Sequence, residues 1–200
     1  MIEIAGWCAR SSLEVAHDLI GCELLIDGVG GRIVECEAYR RDDPASHSFP
    51  GPTARNAVMF GPPGRVYVYL SYGIHWMLNI VCGEHEGDAD AVLIRALQPT
   101  AGVEQMRARR GREPLVELCR GPGRLGQALA VGPHLNGAAI GTGRVELHPA
   151  PPPGPIAQTP RVGISRAQEQ PWRFLLAGSP YVSPSRRSRS ASPARPSPPA

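Results

Sequence analysis

The chain contains no lysine: all 21 basic residues among its 200 are arginine. Without a side-chain amine no Schiff base can form, so lysine-based covalent catalysis is excluded. Nor does any apolar run approach the ~18 residues that a membrane helix requires. The five cysteines (Cys8, Cys22, Cys36, Cys82, Cys119) are odd in number and include no C-x-x-C pair. That pattern fits a reducing cytoplasm and argues against a disulfide framework or a zinc ribbon. The six histidines show neither H-x-x-x-H nor H-E-x-x-H spacing, so no metal site is expected. Met1-Ile2-Glu3 places no basic patch ahead of an apolar stretch, so no secretory leader is expected.

What is present is glycine and proline, 23 and 22 residues, which predict a chain rich in turns. With 42% hydrophobic and 20% charged residues it can bury a core, and its length suits one domain. The net charge of +3 is unevenly placed. Residues 184–200 use only Pro, Ser, Arg and Ala and carry four arginines, so they read as a disordered basic tail. Residues 1–183 are then left at −1 and read as the domain.

Ser11 and Glu14 form a capping box ahead of a short helix ending at Gly21. Cys22–Ile26 and Gly31–Tyr39 predict a hairpin around Asp27–Gly30. Residues 40–63 read as a long loop. Arg65–Ser71 and Trp76–Cys82 predict a second hairpin, with Tyr72-Gly73 at its tip. A strand over Ala91–Leu97, a helix over Ala101–Arg110, a helix from Gly121-Pro122 through Val131, a proline-rich loop over 149–160 and a strand over Trp172–Leu176 complete the reading. Strands joined by hairpins imply a mixed α+β domain: a curved, mostly antiparallel sheet with peripheral helices and a protruding β-hairpin.

In GRIVECEAY (31–39), Arg32, Val34, Cys36 and Ala38 share one face, while Ile33, Glu35, Glu37 and Tyr39 share the other. The second face reads either as a solvent-facing edge or as a carboxylate base beside an aromatic platform. Tyr67, Tyr69 and Ser71 share a face, which suits cross-strand packing. Tyr72, bulky at an exposed tip, suits a wedge that enters a base stack. Asn79 and Arg95 are polar groups inside apolar runs and mark a candidate site. Six arginines over 107–124 form a stripe that is either a solvated face or a phosphate footprint. GPGRLG (121–126) matches a dinucleotide fingerprint formally, but the helix after it is cut short at Gly132-Pro133 and Arg124 and the proline fit the pattern poorly.

GRIVECEAY, ASHS (45–48), ARNAVMF (54–60), RVYVYLSYGIHWMLNI (65–80), VLIRALQP (92–99), ELCRGPGRLGQALAV (117–131) and RFLLAGSPYVS (173–183) together, in this order, resemble the alkyladenine (3-methyladenine) DNA glycosylase family. The resemblance runs from about Ala9 to Ser183. It implies a monofunctional base-excision enzyme that flips a damaged purine from duplex DNA and hydrolyses its N-glycosidic bond without a metal or organic cofactor. By the same resemblance Glu37 is the general base, and Arg95 and the backbone carbonyl of Val162 hold its water. Tyr39, His47 and Tyr69 form the walls that stack the base, and Asn79 is the gate against normal guanine. Tyr72 fills the vacated stack, while Arg55 and Arg124 contact DNA. The expected partner is damaged double-stranded DNA, bound by a monomer in the cytoplasm at the nucleoid, with no membrane association. Two other classes remain open at this level: a duplex-DNA-binding module without catalysis, and a carbohydrate hydrolase pairing Glu35 with Glu37.

Overall fold

A computed structural model describes residues 3–184. The basic tail proposed from the sequence lies, apart from Pro184, outside these residues. In chain order the elements are α1 (Ile4–Cys8), α2 (Ser12–Leu19), β1 (Glu23–Ile26), β2 (Val29–Tyr39), β3 (Val66–Ser71), β4 (His75–Cys82), β5 (Asp90–Ala101), α3 (Val103–Arg110), α4 (Leu115–Leu118), α5 (Pro122–Ala128), β6 (Val145–His148), β7 (Ile156–Thr159) and β8 (Arg173–Leu176). The strands form one antiparallel sheet in the order β3-β4-β5-β2-β1-β6, and β8 pairs with both β2 and β7. The mixed α+β, mostly antiparallel architecture expected from the sequence is the one found.

The local signals act as their chemistry requires. The Ser11 hydroxyl accepts the Glu14 N–H and caps α2, satisfying a donor the helix cannot. Asp27 and Gly28 both have positive φ, 50° and 75°, the conformation a two-residue hairpin turn demands. The 11-residue β2 is the hub, because its first half pairs with β1, its second half with β8, and its whole length with β5.

Opposed residues across an antiparallel sheet share a face. The row Val66–Ile80–Val92–Ala38 lies on one face, and the row Tyr67–Asn79–Leu93–Glu37 lies on the other. The first face, with Val34, Cys36 and Ile94, joins the main core with Ala16 and Leu19 of α2. The second face receives the 40–63 segment, whose Met59 packs on Tyr67, Val81 and Ala91.

Several elements differ from the sequence reading. β5 continues through Pro99 to Ala101 rather than giving way to a helix, so α3 starts at Val103. The register slips between Gly30 and Gly31 opposite Pro99, and such a bulge is where a sheet tolerates a residue without an N–H. α5 stops at Ala128 rather than Val131, followed by Ala130 at φ 53°. Within the proline-rich 149–160 segment, Ile156–Thr159 forms β7 against β8. α1, α4 and β6 were not anticipated; β6 is ordered by pairing with β1, more than a hundred residues earlier. The segment before GPGRLG is the helical turn α4, not a strand, which removes the dinucleotide fingerprint.

Candidate active site

The site is built where two bulges face each other. On β2 and β5, Ile33 pairs with Leu97 and Glu35 with Ala96, so Val34 is an extra residue; Cys36 then pairs with Ile94, which makes Arg95 extra on the opposite strand. Bulges re-aim side chains beside active sites. Here the pair lets Arg95 reach both carboxylates of β2: Nε lies 2.8 Å from Glu35 Oε1 and Nη1 3.0 Å from Glu37 Oε2. The Glu35–Glu37–Tyr39 face is therefore no solvent-facing edge, since both glutamates are fully buried.

The two carboxylates differ in what surrounds them. Glu37 accepts from Tyr39 Oη (2.9 Å), from Arg95 and from the Val162 N–H (2.7 Å to Oε1). A carboxylate has about four lone-pair sites, so one of Glu37's remains for a further donor. Glu35 accepts from Arg95 Nε, Arg173 Nε (2.7 Å), the Ser183 N–H (2.6 Å) and Ser183 Oγ (2.7 Å). It is saturated. Burial opposes its ionisation, but the Arg95 and Arg173 charges and the Ser183 hydrogen bonds outweigh it and hold its carboxyl below the usual range. Burial likewise works against the Arg95 charge, while Glu37 and Glu35 more than restore it.

Tyr39, Arg95 and Val162, which surround Glu37, open onto a cavity of about 860 Å³. Its other lining residues include His47, Arg55, Tyr67, Tyr69, Tyr72 and Asn79, so nearly every candidate from the sequence converges on one space. His47 and Tyr69 meet edge to face with ring centres 4.4 Å apart. His47 Nδ1 lies 3.0 Å from Tyr67 Oη; burial and the Arg55 charge lower the imidazole pKa, so the ring is neutral near pH 7. Burial, together with Glu37 and Tyr69, pushes the Tyr39 phenol well up. It stays protonated and donates to Glu37. Tyr69 is pushed up to about 12, first by burial. Asn79 is fixed by Nδ2 donating to Tyr67 O at 3.1 Å.

The loop bearing His47 is anchored from behind. Asp43 and Arg161 form a fully buried ion pair, and Arg161 Nη1 also donates to Ala38 O at 3.0 Å. The Arg161 guanidinium lies 4.6 Å from the Tyr39 ring centre and 5.0 Å from that of Trp172. One residue therefore braces the Tyr39 wall, the His47 loop and the adjacent Val162. Such a role for Arg161 was not legible in the sequence; neither were those of Arg173 and Ser183. The nearest signal was that Arg161 adjoins Val162.

The β3–β4 tip is the opposite environment. Tyr72 is 90% exposed and Ile74 70%, and Tyr72 sits at φ 50°, a conformation that costs a non-glycine residue about 1 kcal/mol or more. Arg55 hydrogen-bonds Leu70 O at 3.1 Å and stands over the Tyr69 ring, joining tip to cavity. Of the 107–124 arginine stripe, Arg107 pairs with Glu104, Arg109 and Arg110 bond the α5 region, Arg112 approaches Glu117, and Arg120 bonds Val182 O. The stripe is largely a structural clasp. Arg124 is exposed on α5 with no hydrogen bond or ion pair among the described residues.

Residues 6–180 match the family described as Methylpurine-DNA glycosylase (MPG). Relatives whose names include "3-methyladenine DNA glycosylase" come from several bacteria. That of Rhodopseudomonas palustris strain HaA2 is 58% identical over 175 residues, covering 88% of this chain and 87% of its own. That of Nitrosospira multiformis is 55% identical, covering 88% and 90%. The Granulibacter bethesdensis relative is 55% identical over 188 residues, covering 92% and 88%. On a match that spans the sheet, the buried glutamates and the aromatic cavity alike, this chain belongs to the methylpurine-DNA glycosylase family.

Proposed function

We propose that the protein is a base-excision repair glycosylase that releases methylated purines from duplex DNA, with Glu37 as the base. The observation that carries this reading is the single unfilled acceptor site of a fully buried Glu37, set beside a cavity walled by aromatic rings. Flipping a nucleotide costs a few kcal/mol, and each base–aromatic stack returns about 1–3 kcal/mol. Tyr39 on one side, with His47 and Tyr69 on the other, can offset that cost. Tyr72 fills the gap left in the duplex, and Arg55 and Arg124 meet the DNA backbone. On this reading Asn79, which lines the cavity, is the gate against normal guanine, whose exocyclic amine would clash.

In the chemical step a water lies between Glu37 and the sugar, supported by Arg95 and the Val162 carbonyl. Its oxygen bonds to C1′ as the C1′–N9 bond breaks; one water proton passes to Glu37 and the bonding pair leaves with the base. Methylation makes a purine such as 3-methyladenine cationic, so it departs neutral. The developing oxocarbenium charge is stabilised by the carboxylate. A neutral His47 adds no cation to oppose a cationic base. No group beyond these side chains and water enters the step. Among the described residues no helix is long and apolar enough to cross a membrane, and we assign action on chromosomal DNA by a monomer in the cytoplasm.

The pairing of Glu35 with Glu37 in a carbohydrate hydrolase is disfavoured, since of Glu35's donors only Arg95 lines the cavity, whereas all three of Glu37's do. The decisive experiment scores free base and abasic sites from dimethyl sulfate-treated duplex DNA. Base release by the native chain, lost in Glu37→Gln, supports the reading. DNA binding without base release overturns it in favour of a non-catalytic module.

A further inference from the structure

We propose that Ser183 is a positioning residue for Arg95, and that the segment 179–183 is a strap completing the floor of the active site. The proposal rests on the reading of Glu37 and Arg95 given above. Ser183 lies beyond the stretch 6–180 that matches the family, yet it is 6% exposed and inserted among the buried charges. Its N–H and Oγ donate to Glu35 at 2.6 and 2.7 Å, and its carbonyl accepts from Arg173 Nη2 at 3.3 Å. Arg95 Nη2 points to its Oγ at 3.5 Å. All three guanidinium nitrogens of Arg95 are thus assigned: Nε to Glu35, Nη1 to Glu37 and Nη2 to Ser183.

The strap is held in place by side chains outside the catalytic set. Arg120 Nε donates to Val182 O at 2.8 Å, and Arg120 itself bridges to Ala96, the neighbour of Arg95. Tyr181 packs against the core. The strap and the Arg95 bulge are therefore fixed to one another from both sides.

The effect on chemistry follows from competition for donors. Glu35 and Glu37 share one guanidinium between them. With Ser183 filling two of Glu35's acceptor sites, Arg95 can keep Nη1 on Glu37. Deleting the hydroxyl empties one of those sites on a carboxylate that cannot reach water, and it frees Nη2. The guanidinium then turns toward Glu35 and away from Glu37 and the reacting water. A misplacement of about 1 Å in a positioned group costs on the order of a hundredfold in rate.

The test is single-turnover release of methylated bases from dimethyl sulfate-treated duplex, with duplex affinity measured separately by anisotropy. Ser183→Ala lowers the rate constant by roughly tenfold to a hundredfold, with reaction amplitude and affinity unchanged. Ser183→Thr, which keeps the hydroxyl, restores the rate to within a few-fold. A purely structural role would lower the amplitude, which reports folded enzyme, and leave the rate constant alone; that result overturns the proposal. So does an equal fall in the alanine and threonine variants. Ser183→Cys, of similar size with a weaker donor, is read in parallel and falls between them; if the alanine variant does not fold, a cysteine variant at the native rate overturns the proposal. Glu37→Gln in the same assay separates the two claims. If it is silent while Ser183→Ala runs at the native rate, only the role of Ser183 fails; if it excises normally, the assignment of Glu37 fails.

Discussion

Glu35 and Glu37 stand on one face of one strand, are equally buried, and share Arg95, yet they occupy opposite kinds of site. Around Glu35 the protein supplies four hydrogen bonds, from two arginines and a serine, and of these residues only Arg95 lines the cavity. Around Glu37 it supplies three, and all three donor residues line the cavity. Burial alone thus says little about the role of a charged group. A carboxylate held mainly by donors away from the cavity is part of the scaffold, while one whose donors all line the cavity is available to substrate or water. The exposed β3–β4 tip extends the contrast, since Tyr72 contributes almost nothing to packing and is held in a strained conformation.

The sharpest way to break this comparison is to neutralise each carboxylate in turn. Glu37→Gln keeps the shape but cannot take a proton; base release falls by at least ~10²–10⁴-fold, the share of a general base, while lesion binding and thermal unfolding stay close to native. Normal excision by this variant would dissolve the distinction between the two sites.

Glu35→Gln has its main effect on stability. Leaving Arg95 and Arg173 buried without their shared anion costs about 3–5 kcal/mol, measured by denaturant unfolding. The pH dependence gives an independent reading. Glu35 has a folded pKa held below its ordinary value near 4.5. Its contribution is therefore present above that value and is lost as pH falls through the depressed folded one. Native protein loses stability over that acid window, and Glu35→Gln loses less of it. An unchanged acid profile would show that Glu35 is not the ionised partner described.

At the tip the expectation reverses again. Tyr72→Ala reduces capture of the flipped base by about tenfold, an interaction of one aromatic stack, and changes stability by no more than about 0.5 kcal/mol, as for other exposed positions. Flipping is followed with a fluorescent base analogue opposite the site, and native flipping by the variant would remove the wedge assignment. The smallest effect is expected from deleting residues 185–200. Excision at saturating DNA is unchanged, and the salt dependence of duplex binding weakens by about 0.9 in log–log slope for each arginine that had met a phosphate. Loss of catalysis would instead make the tail part of the site.

What the sequence determined by itself is local. Alternation, the Asp27-Gly28 turn, the Tyr72-Gly73 tip and the Ser11 cap specify hairpins and a helix through neighbours in the chain. The ordered motifs carried Glu37, Tyr39, His47, Tyr69, Asn79 and Arg95 to one place in expectation; the last five line the cavity, and Glu37 lies behind it, bonded to Tyr39 and Arg95. What only the tertiary structure decided is which polar groups are spent on one another. Glu35 and Glu37 look alike in GRIVECEAY; they are told apart by Ser183, 148 residues from Glu35, and by Arg173, 138 residues away. Arg161 reaches Asp43 across 118 residues, and β6 forms only against β1, a strand far from it in sequence. Local periodicity records which face a residue occupies. It cannot record the donor that long-range folding brings to that face, and for buried carboxylates those donors decide which one holds the fold together and which is left free to react.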